Sequence, residues 1–315
     1  MEDGTILKGR VIFHHADRIQ FREMNLGLLN LETKKISYIE AAGNGMYFLF
    51  YMKDGSFLHG KIVSQNETDL EVETKSIGKQ KIPLERIKEM RRINEKDIRR
   101  KGKYWYPNMN AARYFFSPSA IPQNENEGNY QVADVLVNSM NYGVTKNFSL
   151  GGGAILPFGV FIMPKYAHEL TDILHVGGCG FYAQTLLKYK KRNYKGGGLL
   201  GLLTVGNGNN NLTFGLGTGF EGTNEDMYFL PKPAIQVSAT LRISRRIAFV
   251  GENFFLPARK KYYTAEGKVY EFGYDKYFMY GFRLLKERAS LDAGFLFATQ
   301  DTFLAFPYIG LAIKF

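Results

Sequence analysis

The stretch Tyr308-Ile309-Gly310-Leu311-Ala312-Ile313-Lys314-Phe315 decides how the rest of the sequence is read. Large apolar side chains take every second place, Ile309, Leu311, Ile313 and Phe315, and Tyr308, Gly310, Ala312 and Lys314 stand between them. Successive side chains of a strand point to opposite faces, so this period of two specifies a strand with one apolar face and one small or polar face. A soluble sheet turns its apolar face to a core. A barrel in a membrane turns it to lipid and keeps the small and polar residues inside.

Working upstream, the same alternation recurs between turn residues. Strands are expected near 112–120, 128–142, 147–156, 159–168, 172–186, 195–206, 210–221, 227–242, 246–257, 268–286, 289–299 and 302–315, about twelve in all. Several show their faces. Gln236, Ser238, Thr240 and Arg242 alternate with Val237, Ala239, Leu241 and Ile243; Leu291, Ala293, Phe295 and Phe297 alternate with Ser290, Asp292 and Gly294; Leu212, Phe214 and Leu216 alternate with Gly215, Gly217 and Gly219. Connections at 143–146, 169–171, 207–209, 244–245 and 287–288 are short, and those at 121–127, 187–194, 221–226 and 258–267 are longer and more polar, with a short exception at 157–159. Outer-membrane barrels carry this asymmetry, with tight periplasmic turns and longer outside loops. The expected fold is all-β: an antiparallel up-and-down transmembrane-type barrel over 112–315.

Two resemblances agree with this reading. Tyr308, Gly310, Ile313 and Phe315 occupy the places of the C-terminal assembly signal of bacterial outer-membrane barrels, which that resemblance would make their role. Tyr104-Trp105-Tyr106-Pro107-Asn108, Ala112-Arg113-Tyr114-Phe115-Phe116-Ser117-Pro118, Gly128-Asn129-Tyr130-Gln131 and Asn141-Tyr142-Gly143-Val144-Thr145 resemble the opening of a group of outer-membrane barrel proteins from Bacteroidota. The resemblance implies membership and location, and no activity.

Composition supports strands. The 315 residues include 25 Phe, 20 Tyr and 34 Gly, rings and glycines that suit close-packed strands with tight turns. No run approaches the ~18 apolar residues of a membrane helix, and a mean hydropathy of −0.24 does not exclude spanning strands, which expose only alternate residues to lipid. Pairs such as Tyr104-Trp105-Tyr106, Tyr262-Tyr263, Tyr277-Phe278 and Tyr280 suit interfacial girdles. Lys188, Lys190, Lys191 and Arg192, and Arg259, Lys260 and Lys261, suit either solvated loops or contact with lipopolysaccharide phosphates. Met1-Glu2-Asp3-Gly4 is acidic and lacks the apolar core of a secretory leader, so an exported chain is expected to have a processed start.

The N-terminal part repeats itself at an offset of 51: Asp3-Gly4 aligns with Asp54-Gly55, Leu7 with Leu58, Gly9 with Gly60, Ile19 with Leu70, Phe21 with Val72, Leu31 with Ile82 and Ile36 with Ile87. Two small β modules are expected, at 1–45 and 46–92, followed by a basic linker at 93–111. In the second, Asp54, Gly55, Leu58 and Gly60 resemble the turn and bent strand of an Sm-like or SH3-like small barrel. The Arg-Gly pair of the RNA-binding members is missing from Ile82-Pro83-Leu84-Glu85-Arg86, so nucleic acid is not an expected partner. Between Arg86 and Lys103 lie nine basic and three acidic residues, a run suited to anionic lipid or to a solvated linker.

No catalytic constellation is legible. His14, His15 and His59 lie in the modules, and His168, His175 and Glu169 surround one short turn, where a metal is conceivable but no nucleophile stands nearby. Gly151-Gly152-Gly153 and Gly196-Gly197-Gly198 lie in strands with no helix following, which argues against phosphate cradles. No enzyme activity, cofactor or metal is expected. The expectation is an outer-membrane barrel with the modules in the periplasm as an interaction device, in contact with lipid, lipopolysaccharide and a periplasmic protein, in a structural, anchoring or narrow-permeation role. Arg242, Arg283 and Asp292 are the expected lumen-lining charges; an open path past them would make a small-solute channel, and a soluble nucleic-acid-binding β protein is the remaining alternative.

Overall fold

The structure, a computed structural model, describes residues 5, 7, 9–15, 17–23, 26–36, 47–65, 68–99, 103–187, 192–264, 267–299 and 303–315. It divides into two compact units, Met1–Trp105 and Tyr106–Phe315. Asp3, Gly4 and Lys188 to Lys191 lie outside the described residues.

The first unit contains β1 (Gly9–His15), β2 (Arg18–Glu23), β3 (Gly27–Glu32), β4 (Tyr47–Met52), β5 (Phe57–Gln65), β6 (Asp69–Thr74), β7 (Gly78–Pro83) and β8 (Ile87–Ile93). The repeat is visible residue by residue. β2 and β6, β3 and β7, and the 3-10 turns Thr33–Lys35 and Leu84–Arg86 are each separated by 51 positions. The irregularity between Val11 and Phe13 in β1 recurs between Ile62 and Ser64 in β5. Gly9 lies where an added Cβ would stand 2.2 Å from the Arg22 carbonyl oxygen, and Gly60 where it would stand 2.4 Å from that of Glu73, so the bent strand of each copy needs glycine at the same point. The two copies do not form separate modules, however. They join one eight-stranded sheet of order β3-β2-β1-β8-β4-β5-β6-β7, in which β8 pairs with β4 on one side and β1 on the other. Its core is Phe48, Phe50, Met52, Leu70, Val72, Ile82 and Ile87, the apolar face of alternating strands. The expected linker begins inside β8 at Ile93, and β9 (Ile98–Arg99) pairs with β10 (Lys103–Tyr104) within it.

The second unit is a closed antiparallel barrel of twelve strands. These are β11 (Gly128–Ala133), β12 (Val137–Gly143), β13 (Phe148–Ile155), β14 (Gly159–Thr171), β15 (Leu174–Thr185), β16 (Tyr194–Gly206), β17 (Asn210–Thr223), β19 (Ala234–Arg242), β20 (Ile247–Thr264), β21 (Gly267–Leu285), β22 (Ala289–Thr299) and β23 (Phe303–Lys314), with a short extra strand β18 (Met227–Phe229) on β17. Each strand pairs with its neighbour, and β23 closes on β11, so the barrel has no open edge along its wall.

The expected strand number holds through two compensating errors. Residues 112–120 are not a strand; their only ladder contact is one isolated bridge, Arg113 with Pro118. The span 128–142 is two strands, β11 and β12, turned at Asp134 to Leu136. Likewise, 227–242 splits into β18 and β19, and most of the expected loop at 258–267 is strand, since β20 reaches Thr264 and β21 begins at Gly267. The expected loop at 121–127 connects no two barrel strands; it leads into β11.

The facing follows the sequence. Ser290 and Asp292 are buried while Leu291 is 42 % exposed and Phe295 54 %; Gln236, Ser238, Thr240 and Arg242 are buried while Leu241 is 55 % exposed. Outward Ile309, Leu311, Ile313 and Phe315 are exposed and inward Tyr308 and Ala312 are buried. The outside of the wall is apolar and the inside is polar, the reverse of a soluble sandwich.

Candidate functional site

The interior of the barrel is occupied by its own upstream segment. Residues Tyr106 to Ile121 cross the lumen before the chain enters β11, and Tyr106, Asn108, Asn110, Arg113, Tyr114, Phe115, Ser117, Ser119, Ala120 and Ile121 are all buried. A segment with little regular structure inside a protein must find partners for its backbone groups elsewhere. Here the strand side chains supply them.

Glu252, inward on β20, accepts three consecutive amides: Phe115 at 2.8 Å and Phe116 at 3.0 Å on Oε2, and Ser117 at 3.0 Å on Oε1. Lys165 of β14 does the converse. Its Nζ donates to the carbonyls of Ala112 at 3.0 Å, Ser119 at 3.1 Å and Ile121 at 2.9 Å. Arg283 of β21 grips Asp292 of β22 with two parallel bonds, Nε to Oδ1 at 2.7 Å and Nη2 to Oδ2 at 2.8 Å, and donates from Nη2 to the Tyr114 carbonyl at 2.7 Å. The planar fork of guanidinium on carboxylate fixes both side chains. Arg113 of the segment donates to the Gln131 side chain of β11 and to Asn110 Oδ1 at 2.6 Å. The Tyr114 hydroxyl donates to Asn211 Oδ1 at 2.7 Å and shares a hydrogen bond with Thr213 at 2.6 Å. Gln236 Nε2 donates to the Pro118 carbonyl at 2.9 Å.

Arg242, Arg283 and Asp292 stand on the inner face of the wall, and each is buried. Arg283 donates to the Tyr114 carbonyl of the internal segment, and Asp292 is held by Arg283. Arg242 donates to the Tyr106 carbonyl at 2.7 Å and to Asn209 Oδ1 at 2.6 Å, and its guanidinium lies 5.0 Å from the Tyr106 ring centroid. The Tyr106 hydroxyl donates to the Leu285 carbonyl. The ring expected at a lipid interface is thus a lumen anchor, and Tyr104 is buried in the first unit. Sequence reasoning took Ala112 to Ala120 for a strand and missed Glu252 and Lys165. The signals were three successive rings, Tyr114-Phe115-Phe116, which break a period of two, Pro118, which has no ladder donor, and charges at inward places of β20 and β14.

The residues likened to an assembly signal divide by face: Tyr308 and Gly310 point inward, and Ile313 and Phe315 outward. Tyr308 stands edge-on to Phe115 at 5.0 Å and to Phe116 at 5.4 Å, and its hydroxyl accepts from Gln131 Nε2 at 3.1 Å. His168 is exposed on the outer face of β14, whereas His175 is buried and inward on β15, opposite Glu169. The two histidines lie on opposite sides of the wall, so they do not converge on a metal, and no cluster of three metal-ligating side chains occurs among the described residues.

In the first unit, Asp54-Gly55 form the turn between β4 and β5, with Gly55 at φ +82 and Asp54 Oδ1 accepting the Ser56 amide at 2.9 Å. Leu58 packs at the edge of the core. Hydrogen bonds from Ser56, with Arg86 nearby, hold the Asp54 carboxyl below its ordinary carboxylate range. No protein-family model matches the chain, and no curated protein matches it.

Proposed function

We propose that this chain is a non-enzymatic outer-membrane β-barrel, closed by its own internal segment, that holds its N-terminal sheet in the periplasm as a docking device for an envelope protein. One observation carries the reading: a closed wall with an apolar outer face and a polar, hydrogen-bonded interior. In water, the outward rows of large apolar side chains, such as Leu241, Phe282, Leu291, Phe295, Ile309 and Leu311, would stay hydrated, whereas in lipid they are solvated and the inward polar groups still have partners.

The filled lumen favours a structural or anchoring role over permeation, because Lys165, Arg242, Glu252 and Arg283 bond to the internal segment and Asp292 is paired with Arg283. Duplication, a strand β8 lying beside the first strand of its own copy, and the glycine-bent β5 support an Sm-like or SH3-like ancestry for the N-terminal sheet. Its exposed Asp54-Gly55 turn and basic residues up to Lys103 offer polar contacts to a protein partner. At the end of the barrel with the longer connections, lipopolysaccharide is the expected neighbour.

Cell fractionation tests the location. Recovery with outer-membrane markers, extraction only by detergent, and a gel mobility that changes on heating are expected; recovery of monodisperse protein in plain buffer overturns the reading. Planar-bilayer recordings test closure, and large stable conductance from the intact chain would establish the channel alternative instead.

A further inference from the structure

The barrel interior is not uniform. Beyond the hydrogen-bonded segment, toward the end where β20 and β21 meet, several inward places are large, apolar and uncovered: Phe181 is 45 % exposed, Leu304 48 % and Phe306 49 %. Register fixes their direction. Phe181 lies two residues beyond buried Cys179 on β15, and Phe306 pairs with Leu296, which packs on the lumen cluster of Tyr114, Met279 and Tyr308. Phe116 of the internal segment, 40 % exposed and edge-on to Tyr308, forms the floor of this recess.

The rim around it is uneven. β11, β12 and β13 have 6, 7 and 8 residues, against 18 and 19 in β20 and β21. At about 3.4 Å per residue, the strands on the β11–β13 side are roughly 34–44 Å shorter than β20 and β21, so the wall there is low. The two connections along this low side are apolar at their tips: Val135 is 79 % exposed, Leu136 49 %, Leu156 50 % and Phe158 54 %. Val135 is held at φ 64, a region that branched side chains rarely adopt, while the neighbouring Asp134 carboxylate accepts the Ile309 amide at 2.8 Å. Apolar tips on a low rim make the outer apolar band continuous with the apolar recess inside. A solvated loop has no use for them.

We propose that the upper interior is a binding site for an acyl chain of the lipopolysaccharide of the surrounding leaflet, for which an acyl-labelled phospholipid serves as the probe below; the chain enters sideways over the low rim at Val135-Leu136 and Leu156-Phe158 and lies against Phe116, Phe181, Leu304 and Phe306. The recess sits within a closed wall that a folded protein partner cannot enter, and among the described residues its apolar approach is over the low rim that meets the outer apolar band, which selects a flexible hydrocarbon chain. The inference rests on the membrane reading above.

The test is photolabelling of the full chain in phospholipid vesicles that contain a phospholipid with a diazirine midway along one acyl chain, with labelled residues mapped by mass spectrometry. Labelling at Phe116, Leu304 or Phe306, in addition to outward residues such as Phe282 and Leu311, is expected. Phe181→Arg and, separately, Leu304→Asp place a charge in the recess and are expected to lower the inward labelling at least about tenfold while leaving the outward labelling intact. Labelling confined to outward residues overturns the inference and leaves the membrane reading standing, as does inward labelling unchanged in both variants. No labelling at any residue overturns both.

Discussion

Glu252 and Lys165 hold the same loop by opposite chemistry, a carboxylate ringed by three amides and an ammonium ringed by three carbonyls. Removing either side chain strands several buried backbone groups at once. Glu252→Ala is therefore expected to destabilise the barrel by about 3 kcal/mol or more, measured by equilibrium unfolding in detergent micelles. Arg283 and Asp292 give a sharper comparison. Arg283→Met leaves an unpaired buried carboxylate and is expected to cost about 3–5 kcal/mol, whereas the double variant Arg283→Met, Asp292→Leu should recover a large part of that loss. In the N-terminal sheet, Asp54 has a folded pKa lowered by Ser56. Its contribution is fully present above the ordinary carboxylate range and disappears as pH falls through the lowered folded value. Trp105, the single tryptophan, reports unfolding of this unit, and the acid branch of that curve should flatten in Asp54→Asn.

At the scale of elements, the repeat makes a quantitative claim. Gly27 and Gly78 occupy equivalent turns at φ +75 and +80 with open space around an added Cβ, so each Gly→Ala change should cost about 1 kcal/mol, and the two costs should match. A clear inequality would mean that the copies have diverged in local backbone energy. The duplication, the strand faces and the order of the barrel were legible because each rests on local periodicity: Leu291 against Asp292, or Gly9 against Gly60, can be read without knowing what lies across the lumen. The internal segment was not legible for the opposite reason. Its partners stand far off in the sequence, Glu252 137 residues from Phe115 and Thr213 99 residues from Tyr114, and its composition of rings, serines and a proline resembles an irregular strand. The polar run near Lys260 was read as loop because polarity was equated with turns; in the tall β20–β21 hairpin the same polarity belongs to strands. Joining of the two copies through β8 was likewise invisible, since pairing between repeats leaves no period of its own.

At the scale of the whole molecule, outside and inside answer to different solvents. Leu311→Arg on the outer face should cost about 2–4 kcal/mol in a bilayer, depending on depth, and far less in a small flexible micelle; equal costs in both would argue against lipid at that face. The internal segment has a further consequence through its place in the chain. It precedes the first barrel strand, and Gln131 on that strand already bonds to it through Arg113 and Phe115 before β23 arrives to seal the seam. Winding twelve strands first and inserting the filling afterwards would require passing it through a narrow, finished tube. With the filling bonded to the first strand, the other strands can close around it as around a mandrel; assembly is then a problem of winding, in which a defective centre is expected to delay the last seam to close.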